Sequence, residues 1–173
     1  NRKYYRSTDG VNFQLGSGVN GFPSTNVRRI EFAISPQDPN YMYAAIANSS
    51  DGLRGIYRSI DAGVSWTPYS QENSSVFNPL GQQGEYNIAF AVNPSNKNEV
   101  VIGGQLECWK GGLDVGWDMV AYWVPEVPTN PYYIHADMHF AIFDNRRVRS
   151  PDPNFSATFS NTFKFSSLRF TFT

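Results

Sequence analysis

The chain has 173 residues, the length of one ordinary domain, and its 14 Lys and Arg nearly balance its 15 Asp and Glu, for a net charge of −1. This balance gives no basis for nucleic-acid binding, so no nucleic acid is expected as a partner. Charged residues make up only 17 % of the chain and aromatic residues 16 %, which excludes a disordered or coiled-coil protein and favours a packed β protein.

A sequence repeat organises the chain from its start. An aromatic residue followed by a basic one recurs every 52 residues, and a turn motif with a central Asp follows each pair. The pairs are Tyr5-Arg6, Tyr57-Arg58 and Trp109-Lys110. The motif residues are Ser7, Asp9, Gly10 and Phe13 in the first turn, Ser59, Asp61, Gly63 and Trp66 in the second, and Asp114, Gly116 and Trp117 in the third, which lacks the Ser.

The three turns, called Ser-x-Asp turns below, are predicted to be structural. The Asp carboxylate can accept backbone N–H bonds across such a turn, the Ser hydroxyl adds another bond, and Gly supplies a residue with positive φ. The closing aromatic ring is then free to pack. A carboxylate held by its own turn is a poor catalyst, so these Asp residues are expected to stabilise the fold rather than carry chemistry.

A second repeated element precedes the turns. Residues 30–36 form an apolar stretch ending in Ser-Pro, answered by residues 88–94 ending in Asn-Pro, and each leads through an Asn-containing turn to another apolar strand. One unit is therefore predicted as strand, turn, strand and hairpin, with the Ser-x-Asp turn at the hairpin tip. The predicted fold class is all-β: a partial β-propeller of about three four-stranded blades over residues 1–145, followed by an amphipathic β-hairpin.

These motifs resemble a known family. Residues 59–66 fit the pattern Ser-x-Asp-x-Gly-x-x-Trp of the Asp-box or BNR repeat, and residues 7–13 are a version one residue shorter that ends in Phe. Together with the second element, they resemble the sortilin-like and xyloglucanase-like β-propellers, especially secreted propellers of Bacteroidota. The resemblance covers about residues 1–145 and implies a secreted or cell-surface module that binds a glycan or a protein without catalysis. Asp boxes also occur in endoglucanases, so a xyloglucanase-like glycoside hydrolase is the alternative.

About three blades do not close a ring, because a propeller has about 4 to 8 of them. The remaining blades are expected from sequence outside this chain or from another chain, since an open ring would leave blade faces unburied. The start at Asn1, without an initiator Met, likewise predicts an excerpt of a longer protein.

Both histidines lie in one short segment with a carboxylate between them. In a strand, His135, Asp137 and His139 would project from one face, where two imidazoles and a carboxylate could bind a divalent metal. The favoured interpretation is a structural polar network, and contact with a substrate is the third alternative. No other cofactor is expected.

Ligand contacts are predicted at the aromatic residues after the third turn and at one loop. Trp117, Tyr122 and Trp123 could form a platform for a sugar or peptide, although such residues more often pack blades together. The polar loop 71–84 is long enough to carry a binding site. No pairing of carboxylates is visible among the candidates for glycoside hydrolysis, so binding is favoured and no catalytic residue is assigned. These candidates are Glu72, Glu85, Glu107, Asp118, Glu126, Asp137 and Asp144.

The repeat stops near residue 145. Residues 146–154 form a basic, Pro-containing linker or junction, and residues 155–173 alternate apolar and polar side chains in two short segments. This stretch resembles hairpins near the end of TonB-dependent outer-membrane transporters, which implies outer-membrane association and, as a third functional alternative, a component of an outer-membrane assembly. The other interpretation is an amphipathic hairpin that covers a blade. The abrupt change also raises the hypothesis that residues 1–145 and 150–173 are not contiguous in one natural polypeptide, which an uninterrupted genomic reading of residues 140–160 would refute.

Overall fold

A computed structural model describes residues 2–124, 133–143, 163–165 and 168–170. The described residues form antiparallel sheets and contain no helix, which confirms the all-β prediction. Within these residues the strands are β1 (Tyr5–Arg6), β2 (Gln14–Leu15), β3 (Arg29–Ile34), β4 (Met42–Ala47), β5 (Leu53–Ser59), β6 (Thr67–Pro68), β7 (Ala89–Asn93), β8 (Asn96–Gly103), β9 (Glu107–Gly112), β10 (Gly116–Tyr122), β11 (Phe163–Phe165) and β12 (Leu168–Phe170).

Two complete blades stand in sequence. The first blade has the strand order β3-β4-β5-β6 and the second has β7-β8-β9-β10, so each is a four-stranded antiparallel meander whose neighbours in sequence are neighbours in the sheet. Short turns make this order possible: β7 and β8 are joined through Pro94 and Ser95, and Gly116, at a φ of 80°, closes the three-residue loop between β9 and β10. The arrangement is that of a partial, unclosed β-propeller.

The β1–β2 hairpin is the outer half of another blade. Tyr5 pairs with Leu15 in this hairpin, as Tyr57 pairs with Pro68 between β5 and β6. The predicted three blades are thus seen, in the described residues, as two complete blades and this outer strand pair.

Each complete blade has a hydrophobic cluster on both of its faces, so the core consists of three layers. The middle layer joins the two blades, with Tyr43 and Ile56 of the first against Phe90 and Ile102 of the second. A layer on the other side of the first blade contains Tyr4, Phe22, Val27, Tyr57 and Trp66. A layer on the far side of the second blade contains Ala89, Val101, Cys108, Ala121, Ile134, Met138 and Ala141.

The segment 133–143 packs on the second blade but is not a strand over His135–His139. It forms an isolated parallel bridge between Tyr122 and Tyr133, and Ile142 is also a bridge residue. The prediction that residues 135, 137 and 139 share one strand face is therefore wrong. The reason is local: Asp137 has a φ of 73°, which breaks the period-two alternation that the prediction assumed.

The structure describes only part of the predicted C-terminal hairpin, residues 155–173. Strands β11 and β12 pair antiparallel, with Lys164 opposite Arg169, on either side of residues 166–167. The proposed linker 146–154 and the stretch 155–162 lie outside the described residues. Among the residues that are described, no helix has the length and apolar character needed to cross a membrane.

Candidate functional site

The second Ser-x-Asp turn is held together by its own Asp. One oxygen of Asp61 accepts the backbone N–H groups of Val64, at 3.1 Å, and Ser65, at 2.8 Å, and also the Ser59 hydroxyl at 2.7 Å. The Ser59 hydroxyl oxygen in turn accepts the backbone N–H of Gly63 at 2.8 Å. Partial desolvation raises the pKa of Asp61, but the hydrogen bonds from Ser65, Ser59 and Val64 outweigh it and hold the pKa at about 2.

The first turn has the same network in a shorter form. Asp9 accepts the backbone N–H groups of Val11 and Asn12, at 2.9 and 2.8 Å, together with the Ser7 hydroxyl at 2.9 Å. The bonds from Asn12, followed by those from Val11 and Ser7, hold the pKa of Asp9 well below its usual range. Both carboxylates therefore stay ionised at neutral pH and are occupied by their own turns.

The third turn is built differently. Because it lacks the Ser and is closed by the β9–β10 loop, its Asp114 is directed outward and forms an ion pair with Arg58 of the first blade, with 2.5 Å between Nη1 and Oδ2. Arg58 also lies 4.6 Å from the centre of the Tyr69 ring. Asp114 thus links two blades rather than bridging its own turn.

We expect the Asp61 turn to make stability depend on acid pH. The folded-state pKa of about 2 lies below the roughly 3.9 of an unfolded Asp, so the contribution is complete above about pH 4 and is lost as pH falls through 2. Because Asp61 is half-exposed, solvent screening reduces the contribution to about 1 kcal/mol. Between pH 6 and pH 2, the free energy of unfolding measured with urea should fall by about 1 kcal/mol less in Asp61→Asn than in the parent chain. Asp118→Asn, at an exposed position, is the control with the same charge change. If the free energy of unfolding fell equally on acidification in all three proteins, the stabilising role of the ionised Asp61 would be contradicted.

The candidate metal residues do not come together as a site. Asp137 accepts a bond from the Asn87 side-chain amide at 2.7 Å, the His139 ring packs edge-on against Tyr86 at 4.6 Å, and His135 is exposed. No group of three or more His, Cys, Asp or Glu side chains suited to a metal ion occurs within the described part of the chain. Asn87 is fully buried, so its bond to Asp137 ties the segment 133–143 to the start of the second blade.

The three aromatic candidates also take separate places. The Trp117 ring is half-buried and lies 4.5 Å from the ring of Phe77, so it packs between blades. Tyr122 is half-buried at the end of β10. It pairs with Glu107 of β9, whereas Trp117 pairs with Gly111, so the two lie four residues, or roughly 13 Å, apart along the strand. Trp123 follows the strand and is exposed. The register therefore separates the ring of Trp117 from the other two.

Loop 71–84, by contrast, is anchored and shapes a cleft. Phe77 sits between the rings of Trp109 and Trp117, at 5.4 and 4.5 Å, and this contact holds the loop over the joint between the blades. On the other side, the loop faces the β4–β5 turn, where the N–H of Leu53 donates to the Asn78 side chain at 2.7 Å. A polar cleft of about 230 Å³ lies between the loop and this turn.

The cleft is lined by amides, hydroxyls and backbone, with no ionisable side chain. Asn48 is fixed by accepting the N–H groups of Ser50 and Gly52, at 2.9 and 3.0 Å. Asn78 is fixed by its bond from Leu53 and by donating to the carbonyl of Gly81 at 2.9 Å. The lining residues are Asn48, Ser50, Gly52, Leu53, Asn73, Ser74, Asn78, Gly81 and Gln82.

Some polar groups at the cleft have no protein partner among the described residues: the Ser50 hydroxyl, the donors of the Asn73 amide and the side-chain amide of Gln82.

Of the two walls of the cleft, the sequence analysis predicted only loop 71–84 as a binding segment. The missed wall, residues 48–52, carried the signal Asn-Ser-Ser-Asp-Gly, whose side-chain and Gly chemistry is typical of a tight turn.

The surroundings of the Glu107 carboxyl group differ from those of the other described carboxyl groups. Glu107 is half-buried on β9, where burial raises its pKa and the Trp109 indole N–H, donating at 2.8 Å, only partly opposes the rise. Most other described carboxylates are paired with cations, for example Glu72 with Arg54 at 3.7 Å. Further pairs of this kind are Glu85 with Arg2 and Arg28, Asp38 with Lys97, and Glu99 with Lys110.

Neither a family model nor a curated protein matches this chain.

Proposed function

We propose that this chain belongs to a non-catalytic, secreted or cell-surface Asp-box β-propeller that binds a neutral glycan in the cleft between the β4–β5 turn and loop 71–84. The observation that carries the proposal is the lining, which offers amides and hydroxyls but no ionisable side chain. Neutral sugars present hydroxyl groups that both donate and accept, and amide side chains offer both functions as well. A charged ligand would find no opposite charge in this lining.

The cleft is also preorganised. Asn48 and Asn78 are locked by backbone bonds, and Phe77 anchors the loop, so little side-chain entropy is lost when a ligand binds. The Asn73 and Gln82 amides supply the unsatisfied donors and acceptors that would contact sugar hydroxyls.

A titration of the full chain with a neutral β-glucan oligosaccharide such as cellotetraose tests this. Binding is expected, and the double variant Asn73→Ala/Gln82→Ala should weaken it at least about tenfold, the equivalent of roughly 1.4 kcal/mol for its lost hydrogen bonds. Gln71→Ala, an exposed residue of the same loop outside the cleft lining, should leave affinity unchanged. No binding, or binding that both variants share with the parent, would refute the proposal.

A glycoside hydrolase is the second candidate, and Glu107 is the observation that favours it. A half-buried carboxyl group with a raised pKa suits a general acid. Glu107, the first residue of β9, follows two residues after Gln105, whose side-chain oxygen accepts the Gln82 N–H beside the cleft. Release of reducing ends from β-glucan, abolished in Glu107→Gln, would establish hydrolysis. Our proposal expects no release and equal glycan affinity in the parent and Glu107→Gln.

A further inference from the structure

The β4–β5 turn, residues 48–52, presents its residues alternately to two sides. Its first, third and fifth residues line the proposed glycan cleft, whereas Ser49 lines a second cavity, of about 370 Å³, together with Arg28 and Glu85. The Asp51 carboxylate lies close to the same Arg28 side chain. Charged side chains therefore stand behind a wall whose cleft-facing surface carries no ionisable group.

Asp51 joins the turn to the end of loop 71–84 through both its side chain and its backbone. Its Oδ1 accepts the backbone N–H of Glu85 at 3.1 Å, and its carbonyl oxygen accepts the N–H of Gly84 at 2.7 Å. The two segments are so close that a Cβ atom at Gly84 would lie 2.6 Å from that carbonyl oxygen. The two walls of the cleft are thus in direct contact at Asp51.

Arg28 ties the two carboxylates together. Its Nε lies 3.1 Å from Oδ1 of Asp51 and donates to Oε2 of Glu85 at 3.2 Å, so one guanidinium group is shared by a carboxylate from each wall. Glu85 also pairs with Arg2. The backbone N–H of Arg28 donates to the carbonyl of Ala47 at 2.8 Å, which fixes Arg28 at the end of β4. We call Arg28, Asp51 and Glu85 the ionic clamp.

The ionic clamp differs in kind from other contacts between the walls. The N–H of Leu53 donates to the Asn78 side chain, and the N–H of Asn73 donates to the carbonyl of Arg54 at 2.7 Å, so these contacts are neutral hydrogen bonds. The side chains of the clamp are instead charged and 23–46 % exposed. Salt screens charges that face solvent, so ionic strength can weaken the clamp.

We propose that the ionic clamp sets the spacing of the two cleft walls, so that affinity for a neutral glycan depends on charged side chains that the glycan does not touch. Arg28 and Asp51 are then positioning residues, because a binding site keeps its geometry only when the residues behind it hold its walls. This inference rests on the proposed function. Without the clamp, a neutral ligand in a lining that lacks ionisable groups would bind equally at low and high salt.

Titration of the full chain with cellotetraose at low and high salt tests the clamp. Raising sodium chloride from about 0.01 M to about 1 M shortens the screening length from about 30 Å to about 3 Å. We expect the affinity of the parent chain to fall about threefold, within the range for exposed ion pairs. Asp51→Asn keeps a residue type that tolerates the φ of 65° and an oxygen that can accept the Glu85 N–H, but it loses the charge. This variant should bind about threefold more weakly than the parent at low salt and lose no further affinity at high salt.

Two further variants separate positioning from stability. Asp51→Gly removes the carboxylate but tolerates the positive φ, and it should weaken binding at least about fivefold. Asp38→Asn is the matched control, because Asp38 pairs with Lys97 at 2.9 Å across the two blades but precedes β4, at the end opposite the β4–β5 turn. It should leave the affinity and its salt dependence unchanged, even though it removes a charge from an ion pair between the blades.

Four results would overturn the clamp while leaving the glycan cleft in place. These are a parent affinity that salt does not change, equal affinity in Asp51→Gly and the parent, a salt dependence that Asp51→Asn retains, and a loss in Asp38→Asn as large as that in Asp51→Gly. Absence of cellotetraose binding by the parent chain would instead refute the proposed function, and the clamp with it.

Discussion

Trp66→Ala is expected to lower the free energy of unfolding by about 3–5 kcal/mol, whereas Phe13→Ala, at the same position of the preceding repeat, should change it by less than about 0.5 kcal/mol. Trp66 is buried, and its ring lies 5.2 Å from Phe22 and 5.8 Å from Tyr4, so truncation opens a cavity between the hairpin and the first blade. The Phe13 ring is exposed and leaves no cavity.

Urea unfolding compares the two variants directly. Similar losses in both would mean that Phe13 is buried in the isolated chain. A small loss in Trp66→Ala would mean that the hairpin does not pack on the first blade.

Gly112→Ala is expected to destabilise the joint between the two blades by about 1–3 kcal/mol, the range for overpacking a core. A Cβ atom at Gly112 would lie 2.3 Å from the hydroxyl oxygen of Tyr69, which is fully buried. That hydroxyl donates to the carbonyl of Asn98 at 2.5 Å, and its ring packs against Tyr43 at 5.1 Å, so it has no free direction in which to move.

A double-mutant cycle with Tyr69→Phe isolates this clash. Tyr69→Phe removes the nearest atom and the bond to Asn98 that fixes the ring, whereas ring atoms Cε1 and Cζ still lie at 2.6 and 2.7 Å from the added Cβ. Gly112→Ala should therefore cost less in the Tyr69→Phe background than in the parent, but should still destabilise the protein. Additive losses, measured by urea unfolding of the four proteins, would show that the cost arises elsewhere, for example in the β9–β10 turn.

The repeat made much of the fold predictable. The spacing of Tyr5, Tyr57 and Trp109 predicted three equivalent hairpins, and each of these residues lies in a strand at the same position of its unit. Local chemistry was equally informative at Asp9 and Asp61, because a turn stabilised by its own side chain needs no distant residue.

The candidate site depends on contacts that no local pattern contains. The prediction for the metal segment assumed a regular strand, but Asp137 bonds to Asn87, fifty residues earlier in the chain, and adopts a positive φ. Likewise, the cleft exists because Phe77 is held by two tryptophans of the next blade, and this long-range packing places loop 71–84 against the β4–β5 turn. The sequence showed a long polar loop there without showing what it faces.

The placement of Phe22 and Phe77 in the connections has a consequence for how such a chain can be lengthened. Each phenylalanine contacts the aromatic pair of the blade that follows it, so the smallest piece that keeps this contact intact is a connection together with its following blade. Residues 16–70 and 71–122 are two such pieces. Duplicating or exchanging a segment with these boundaries adds one blade together with the phenylalanine that packs on its aromatic pair. A boundary placed between the connection and the blade would separate the phenylalanine from the aromatic pair that it contacts.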